Sequence, residues 1–321
     1  MNKKTIAVLT SGGDAPGMNA AVRAVTRAAI SNDIAVMGVR RGYSGLITAD
    51  IFEMNLRSVS SCLHRGGTIL YTARSEKFKT KEGIAKAAEN CKLLGIDTVV
   101  TIGGDGTLKG ARDLSEAGVP CMVIPATIDN DVTCTDYTIG FDTAMNTAME
   151  MVDKLRDTAQ SHERCSIVEV MGRTCGDLAL HTGIAVGAIC ILVPELSYSM
   201  DDIITQMKRA RLLGKKHFII VVAEGVGETN EMAKMIGQAT GIESRTTILG
   251  HVQRGGVPTL RDRVMASEMG CKAIELLANG IHDKVVSYVE GKITGVDINE
   301  ALNMKKSFDE ELYKTVLEIS I

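Results

Sequence analysis

The sequence is short of the residues that build linkers, crosslinks and membrane spans. Five prolines among 321 residues leave no Pro-rich linker, whereas 32 glycines point to many tight strand-to-helix turns. The eight cysteines (62, 91, 121, 134, 165, 175, 190 and 271) include no C-x-x-C pair, which excludes a zinc site of that spacing and gives no disulfide framework. Several lie inside apolar runs such as VPCMVI and AICILV, so the set reads as buried thiols of a reducing compartment. No uninterrupted apolar run approaches membrane-spanning length, and the basic start of MNKKTIAVLT turns at once into a glycine-rich loop without a signal-peptide core. A cytoplasmic protein with no membrane partner is expected. Excess charge of one sign is also missing: a net charge of -3 argues against broad nucleic-acid binding, though not against a local basic pocket for an acidic small molecule.

What is present is a globular composition, 45% hydrophobic and 23% charged, in a chain long enough for one large or two medium domains. Short apolar, β-branched runs recur at 5–10, 34–39, 97–102, 119–124, 165–170, 188–193, 217–225 and 245–250. Helix-length segments such as GMNAAVRAVTRAAI, GIAKAAENCKLLG, MNTAMEMVDKLRDTA and DDIITQMKRARLLG separate most of them. This alternation predicts an α/β fold with mainly parallel sheets, arranged as two doubly wound lobes with a cleft. In such sheets ligands gather at the carboxyl ends of strands, so the turns after the strands are the places to search.

Three turns stand out. TSGGDAPGMNAA after the first run places Gly12 and Gly13 in a tight turn and Gly17 at a helix start, a backbone able to bind phosphate yet equally an ordinary turn. GGDGT at 103–107 allows close backbone approach to a polyphosphate, with Asp105 suited to Mg²⁺. The structural alternative is Asp105 capping a helix over 107–117. GGDGT also occurs in NAD kinases and diacylglycerol-type lipid kinases, so it suggests a phosphate donor without naming the acceptor. PATIDNDVTC at 125–134 ends a buried run with Thr127, Asp129 and Asp131; turn chemistry is the plain reading, and a proton acceptor for phosphoryl transfer the functional one. An Asp with a reference pKa of about 3.9 is a weak base, but a loose transition state demands alignment more than basicity.

Taken in order, TSGGDAPGMNAA, HRGGTIL, GGDGT, TIDND, DYTIGF, RDTAQSHER, VEVMGR, GKKH and LGHVQRGG make the chain resemble the ATP-dependent 6-phosphofructokinases of the bacterial type over essentially its whole length. The resemblance implies two similar Rossmann-like three-layer domains. An ATP-binding domain would span 1–138 plus 252–305, and a fructose 6-phosphate-binding domain 139–251 plus 306–321. It implies that Gly12, Tyr43, Arg74, Gly104, Asp105, Gly106 and Thr107 bind ATP, with Asp105 near Mg²⁺. Thr127, Ile128 and Asp129 would face the sugar with Asp129 as base, and Asp131 would support the metal and the loop. Met171, Gly172, Arg173 and Glu224 would line the sugar, with Arg74 and Arg173 neutralising the transferred phosphoryl group. Arg164, Arg245, His251 and Arg254 would clamp the 6-phosphate. Arg164 and Arg245 would reach a neighbouring subunit's site, which implies a homotetramer.

Donor choice rests on Gly106 and Ala126, where pyrophosphate-dependent relatives usually carry Asp and Lys; the small residues favour ATP. The family's second nucleotide site, for ADP and phosphoenolpyruvate, is matched by Arg23, Arg27, Arg156 and Lys215. It is departed from at Leu56 (with Arg57 next to it), Ile189 and Leu213, where Arg, Glu and Lys are usual. An isoleucine cannot ligate Mg²⁺, so this allosteric regulation is expected to be weakened or altered. The alternatives are a pyrophosphate-dependent enzyme and a noncatalytic sugar-phosphate- or nucleotide-binding subunit.

Overall fold

The run TIAVLTS forms β1 (Thr5–Ser11), buried along nearly its whole length, as expected for a strand covered on both faces. In the computed structural model, which describes residues 4–320, β1 is followed by β2 (Ala35–Val39), β3 (Ile51–Met54), β4 (Thr98–Gly103), β5 (Cys121–Pro125) and β6 (Cys165–Val170). Then come β7 (Cys190–Leu192), β8 (Phe218–Ala223), β9 (Ser244–Ile248), β10 (Lys284–Val289) and β11 (Lys292–Asp297). Residues 1–3, which include the start of the basic N-terminal stretch, lie outside the described residues.

The chain divides into two compact units, Met1–Thr143 with Arg254–Lys306 and Ala144–Gln253 with Ser307–Ile321. The expected division had its breaks at 138, 252 and 305. Residues up to 143 stay with the first unit because Asp262 gathers them: its buried carboxylate accepts from Tyr137 Oη (2.5 Å), Gly140 N (2.7 Å), Thr143 N (2.9 Å) and Thr143 Oγ1. By accepting from these groups the Asp262 carboxylate caps the start of helix Phe141–Ser161, whose first N–H groups have no partner within the helix.

Among the described residues, the first unit holds a seven-stranded sheet in the order β11-β10-β5-β4-β1-β2-β3. The pairs β10-β5-β4-β1-β2 are parallel, and β3 and β11 close the edges antiparallel. Ala7, Leu9, Val99, Cys121 and Val123 pack on one face against Ala87 and Cys91 of helix Lys81–Leu93 and Leu108 and Leu114 of helix Asp105–Glu116. Helices Met18–Ser31 and Leu260–Ala278 pack on each other and on the same sheet, giving three layers. The second unit holds a four-stranded parallel sheet, β7-β8-β6-β9. Ile167, Phe218 and Ile220 meet Ile203 and Met207 of helix Met200–Leu212 and Ile236 of helix Thr229–Thr240.

The eight apolar runs are strands, and β3, β10 and β11 are additional to them. Cys271 departs from the expected burial: it sits on the solvent side of helix Leu260–Ala278 and is exposed. Among the described residues no helix is long and apolar enough to cross a membrane.

Candidate active site

In the first unit, β5, β4 and β1 are neighbours whose carboxyl ends lie level, with Ser11 paired to Gly103 and Gly103 to Pro125. Their three following turns are therefore side by side. Thr107 Oγ1 donates to Ser11 O at 3.1 Å, tying the second turn to the first, and Ala126 N donates to Gly103 O at 2.9 Å, tying the third to the second. Thr72 Oγ1 holds Gly12 O at 2.8 Å; Arg74, two residues on, is exposed.

The GGDGT turn is propped from beneath. Tyr43 is buried, stacks on Phe78 with centroids 4.1 Å apart, and donates its hydroxyl to Thr107 O at 2.6 Å. Burial pushes the Tyr43 phenol well above its usual range. Gly110 lets the ring approach, since a Cβ there would lie 2.6 Å from Tyr43 Cε2. Asp105 is the first residue of helix Asp105–Glu116, with Gly104 at the cap position and no side-chain cap. Contrary to the capping alternative, Asp105 does not cap this helix; its partly exposed carboxylate pairs with Lys109 at 2.7 Å. A Cβ on Gly106 would meet nothing within 4 Å.

In the third turn, residues Ala126 to Asn130 are all buried, and Asp129 is fully so. The turn is fixed by its own polar groups. Asp129 N donates to Thr127 Oγ1 (3.2 Å), Thr138 Oγ1 to Thr127 O (2.7 Å), Thr138 N to Asn130 Oδ1 (3.1 Å), and Lys306 Nζ to Asn130 O. Arg254 lies beside the Asp129 carboxylate. Its Nη2 lies 4.0 Å from Asp129 Oδ2 and its Nη1 donates to Asp14 O at 3.3 Å. Gly13 makes room, because a Cβ there would fall 2.4 Å from Arg254 Nη1. The first unit thus gathers Gly12, Gly104–Thr107, Thr127–Asp131 and Arg254.

In the second unit, the turn Met171–Arg173 follows β6, and Glu224 follows the adjacent β8, with Val170 paired to Ala223. Glu224 Oε1 accepts from Arg173 N at 2.7 Å and so fixes the turn that presents the exposed Arg173 side chain. The fully buried Gln253 accepts from Met171 N (3.4 Å) and donates to Gly250 O (3.1 Å), linking this turn to the short helix Gly250–Arg254 that carries His251. Gln253 is not among the residues read from the sequence; its only signal there is the LGHVQRGG string.

Arg164 and Arg245 lie at the other end of the same sheet. Arg164 immediately precedes β6, and Arg245, in β9, is paired with Ser166. The length of β6, roughly 20 Å at the usual rise per residue, separates them from Met171. Within the second unit these arginines are therefore not brought together with Arg173, Glu224 or His251. Both pair with Glu243, Arg164 at 2.7 Å and Arg245 at 2.7 Å.

Of the basic residues matched to a second site, Arg156 donates to Val186 O, and burial and then Arg156 lower the Lys215 pKa. His217 is lowered by burial, Arg156 and Lys215, so the three form one basic cluster in the second unit. Arg23 and Arg27 ride on helix Met18–Ser31 of the first. Ile189 is buried at 2% exposure among Ile203, Met207 and Phe218, whereas Leu56 (45%) and Leu213 (71%) are exposed. Among the described residues there is no group of three or more His, Cys, Asp or Glu that could hold a metal ion by itself.

The Phosphofructokinase family model matches residues 5–277. The chain is 56% identical over 310 residues to an ATP-dependent 6-phosphofructokinase of Clostridium botulinum (strain Hall), covering 97% of each. It is 57% identical over 311 residues to the ATP-dependent 6-phosphofructokinase 1 of Clostridium perfringens (strain 13), covering 97% of this chain and 98% of that one. A phosphofructokinase structure from Saccharomyces cerevisiae superposes with a TM-score of 0.91 at 34% identity, over 98% of this chain and 50% of that one. A pyrophosphate-dependent phosphofructokinase from Marinobacter aquaeolei shares the fold, with a TM-score of 0.85 at 21% identity over 96% of this chain and 86% of that one.

Proposed function

The chain belongs to the phosphofructokinase family, and we propose on that basis that it transfers the γ-phosphoryl group of ATP to the 1-hydroxyl of fructose 6-phosphate, giving fructose 1,6-bisphosphate and ADP. It is an enzyme of glycolysis, and a cytoplasmic location goes with that reading. The observation that carries the chemistry is the buried Asp129 carboxylate beside the GGDGT turn, with Arg254 at 4.0 Å. The first unit would hold ATP and the second fructose 6-phosphate.

Gly12 and the Gly104–Thr107 turn offer backbone N–H groups to the phosphate chain, and the start of helix Asp105–Glu116 adds its positive end. The open space over Gly106 and the uncharged Ala126 favour ATP over pyrophosphate. The residues fit Mg²⁺: Asp105 is a partly exposed carboxylate among glycines, and Mg²⁺ needs only one or two carboxylates when phosphate oxygens complete its shell. Asp131 would support that side of the loop. Mg²⁺, when bound, would neutralise charge on the β- and γ-phosphates.

Asp129 takes the proton of the 1-hydroxyl, and Thr127 and Ile128 shape the surface the sugar meets. Arg74 and Arg173 offset charge on the moving phosphoryl group, while Met171, Gly172 and Glu224 position the sugar. Charge-assisted contacts from Arg164, Arg245, His251 and Arg254 to the 6-phosphate turn remote binding energy into orientation of the reacting hydroxyl. Because Arg164 and Arg245 stand at the far end of β6 from Met171, a neighbouring copy would supply them, in a homotetramer with shared sites. ADP and phosphoenolpyruvate would regulate it weakly, since Ile189 packs into the second core where a Mg²⁺-ligating Glu would be needed.

The test is an assay of purified protein with fructose 6-phosphate and Mg²⁺, supplied with ATP or pyrophosphate, beside Asp129→Ala. Activity with ATP alone is expected, with turnover of the variant lowered about 10²–10⁴-fold. Wild type inactive with both donors would sink the reading, and full turnover by Asp129→Ala would remove the base. Fructose 6-phosphate saturation repeated with ADP and with phosphoenolpyruvate tests the regulatory part; large shifts by both effectors would overturn it.

A further inference from the structure

The pairing of two arginines on one carboxylate at the far edge of the second unit points to a residue that the motif strings do not contain. Glu243 immediately precedes β9, and its carbonyl accepts from Cys165 N at 2.9 Å, so its backbone is locked into the sheet beside Arg164. Its two carboxylate oxygens are divided between the arginines. Oε2 accepts from Arg164 Nε at 2.7 Å, and Oε1 accepts from Arg245 Nε at 2.9 Å and lies 2.7 Å from Arg245 Nη2. Hydrogen bonds from Arg245 and Arg164 lower the Glu243 carboxyl below its usual range, so it stays ionised near neutral pH.

Glu163, adjacent to Arg164 in the chain, is engaged elsewhere: it pairs with Lys216 at 2.7 Å. Two guanidinium groups against one carboxylate leave the cluster net cationic. Engagement of Arg164 through Nε leaves both of its Nη groups uncommitted among the described residues, in the fork arrangement that binds phosphate bidentately. A cavity of about 890 Å³, lined in part by Lys234, Glu243, Ser244 and Arg245, opens beside the pair.

We propose that Glu243 is a positioning residue for sugar-phosphate binding: it holds Arg164 and Arg245 side by side, with their outer nitrogens turned to the 6-phosphate of a site completed by another copy of the chain. Long cationic side chains lose rotamer freedom when they are ordered on a ligand. A carboxylate that orders both beforehand moves that cost to folding. The proposal rests on the phosphofructokinase reading and adds to it a residue that never touches substrate.

The experiment compares Glu243→Gln, Glu243→Asp, Arg164→Ala and Arg245→Ala in steady-state kinetics. Circular dichroism and sedimentation would confirm unchanged folding and assembly. Glu243→Gln should raise the KM for fructose 6-phosphate about tenfold, with kcat and the KM for ATP within about twofold, because the loss is in ordering two side chains before binding. Glu243→Asp, which keeps the charge, should recover part of it. On the Arg164→Ala/Arg245→Ala background the Gln substitution should have no further effect, since no guanidinium remains to be placed. An unchanged or lowered KM in Glu243→Gln, while either arginine variant raises it, overturns the proposal and leaves the enzyme reading intact; a lowered KM would make Glu243 a competitor of the phosphate. Arginine variants with unchanged KM would instead remove the phosphate-clamp assignment. A full effect of Glu243→Gln on the arginine-free background would show that it acts by another route.

Discussion

Tyr43 shows how a single side chain holds the donor turn in place. Its hydroxyl reaches Thr107 O at 2.6 Å from a buried ring, so it acts on the turn from below. Tyr43→Phe removes that hydrogen bond while keeping the stacking on Phe78, at a cost of about 0.5–1.5 kcal/mol. The expected outcome is a lower urea midpoint and a several-fold higher KM for ATP, with the KM for fructose 6-phosphate unchanged. An unaltered KM for ATP would mean that the turn keeps its shape without the prop. The residues easiest to read from the sequence were those in turns: Gly104–Thr107 and Thr127–Asp131 are compact strings after apolar runs. Supporting residues were harder because their partners are distant in sequence. Tyr43 acts 64 residues from Thr107, Gln253 82 residues from Met171, and Arg164 79 residues from Glu243. Nothing in local periodicity records such a pair.

Helix Phe141–Ser161 owes its start to another element, helix Leu260–Ala278, through Asp262. Thr259 caps that second helix by accepting from Asp262 N at 3.3 Å, which sets the carboxylate facing Gly140 N and Thr143 N. Burial lifts the Asp262 carboxyl above its usual range even though its four hydrogen bonds pull the other way, and a neutral carboxyl or an amide here would meet donors with a donor. Asp262→Asn should therefore destabilise the first unit by about 1–3 kcal/mol, read as a lower denaturation midpoint, and should raise hydrogen exchange at the first turn of helix Phe141–Ser161. Unchanged exchange there would show that the helix start does not depend on Asp262. Burial decided the legibility of most strands; β9, half-exposed along its length, is the exception and was marked by the β-branched Thr246, Thr247 and Ile248. β1, β4, β5, β6 and β8 are almost wholly buried and gave runs dominated by apolar, β-branched residues, whereas β3 and β11 are half-exposed antiparallel edges with charges in them, and β10 begins on Lys284. The break near 143 was less legible because it depends on Asp262, over a hundred residues away.

Thiols withdrawn from water are spread through both units, the buried Cys91 in the first and the buried Cys165 and half-buried Cys190 in the second, and they tie whole-molecule stability to pH. Burial pushes Cys91 from 9.0 up to about 11, and Cys165 and Cys190 from 9.0 up to about 12. A group whose folded-state pKa is raised contributes stability that is complete below its unfolded pKa and is lost as pH rises through the folded one. Near pH 9 the unfolded chain begins to release these protons while the folded chain keeps them. From there to about pH 11, each thiol lowers the unfolding free energy by about 1.4 kcal/mol per pH unit. The buried phenols of Tyr43 and Tyr137, both raised mainly by burial, act in the same direction at higher pH. Urea unfolding at constant ionic strength should give midpoints that hold steady from about pH 7 to 8 and fall steeply above about pH 9. Cys91→Ala should flatten the decline for the first unit, and Cys165→Ala for the second, so that hydrogen exchange resolved by unit separates the two contributions. A midpoint that stays level to pH 10.5, or a decline untouched by either substitution, would mean that buried thiols do not set the alkaline limit.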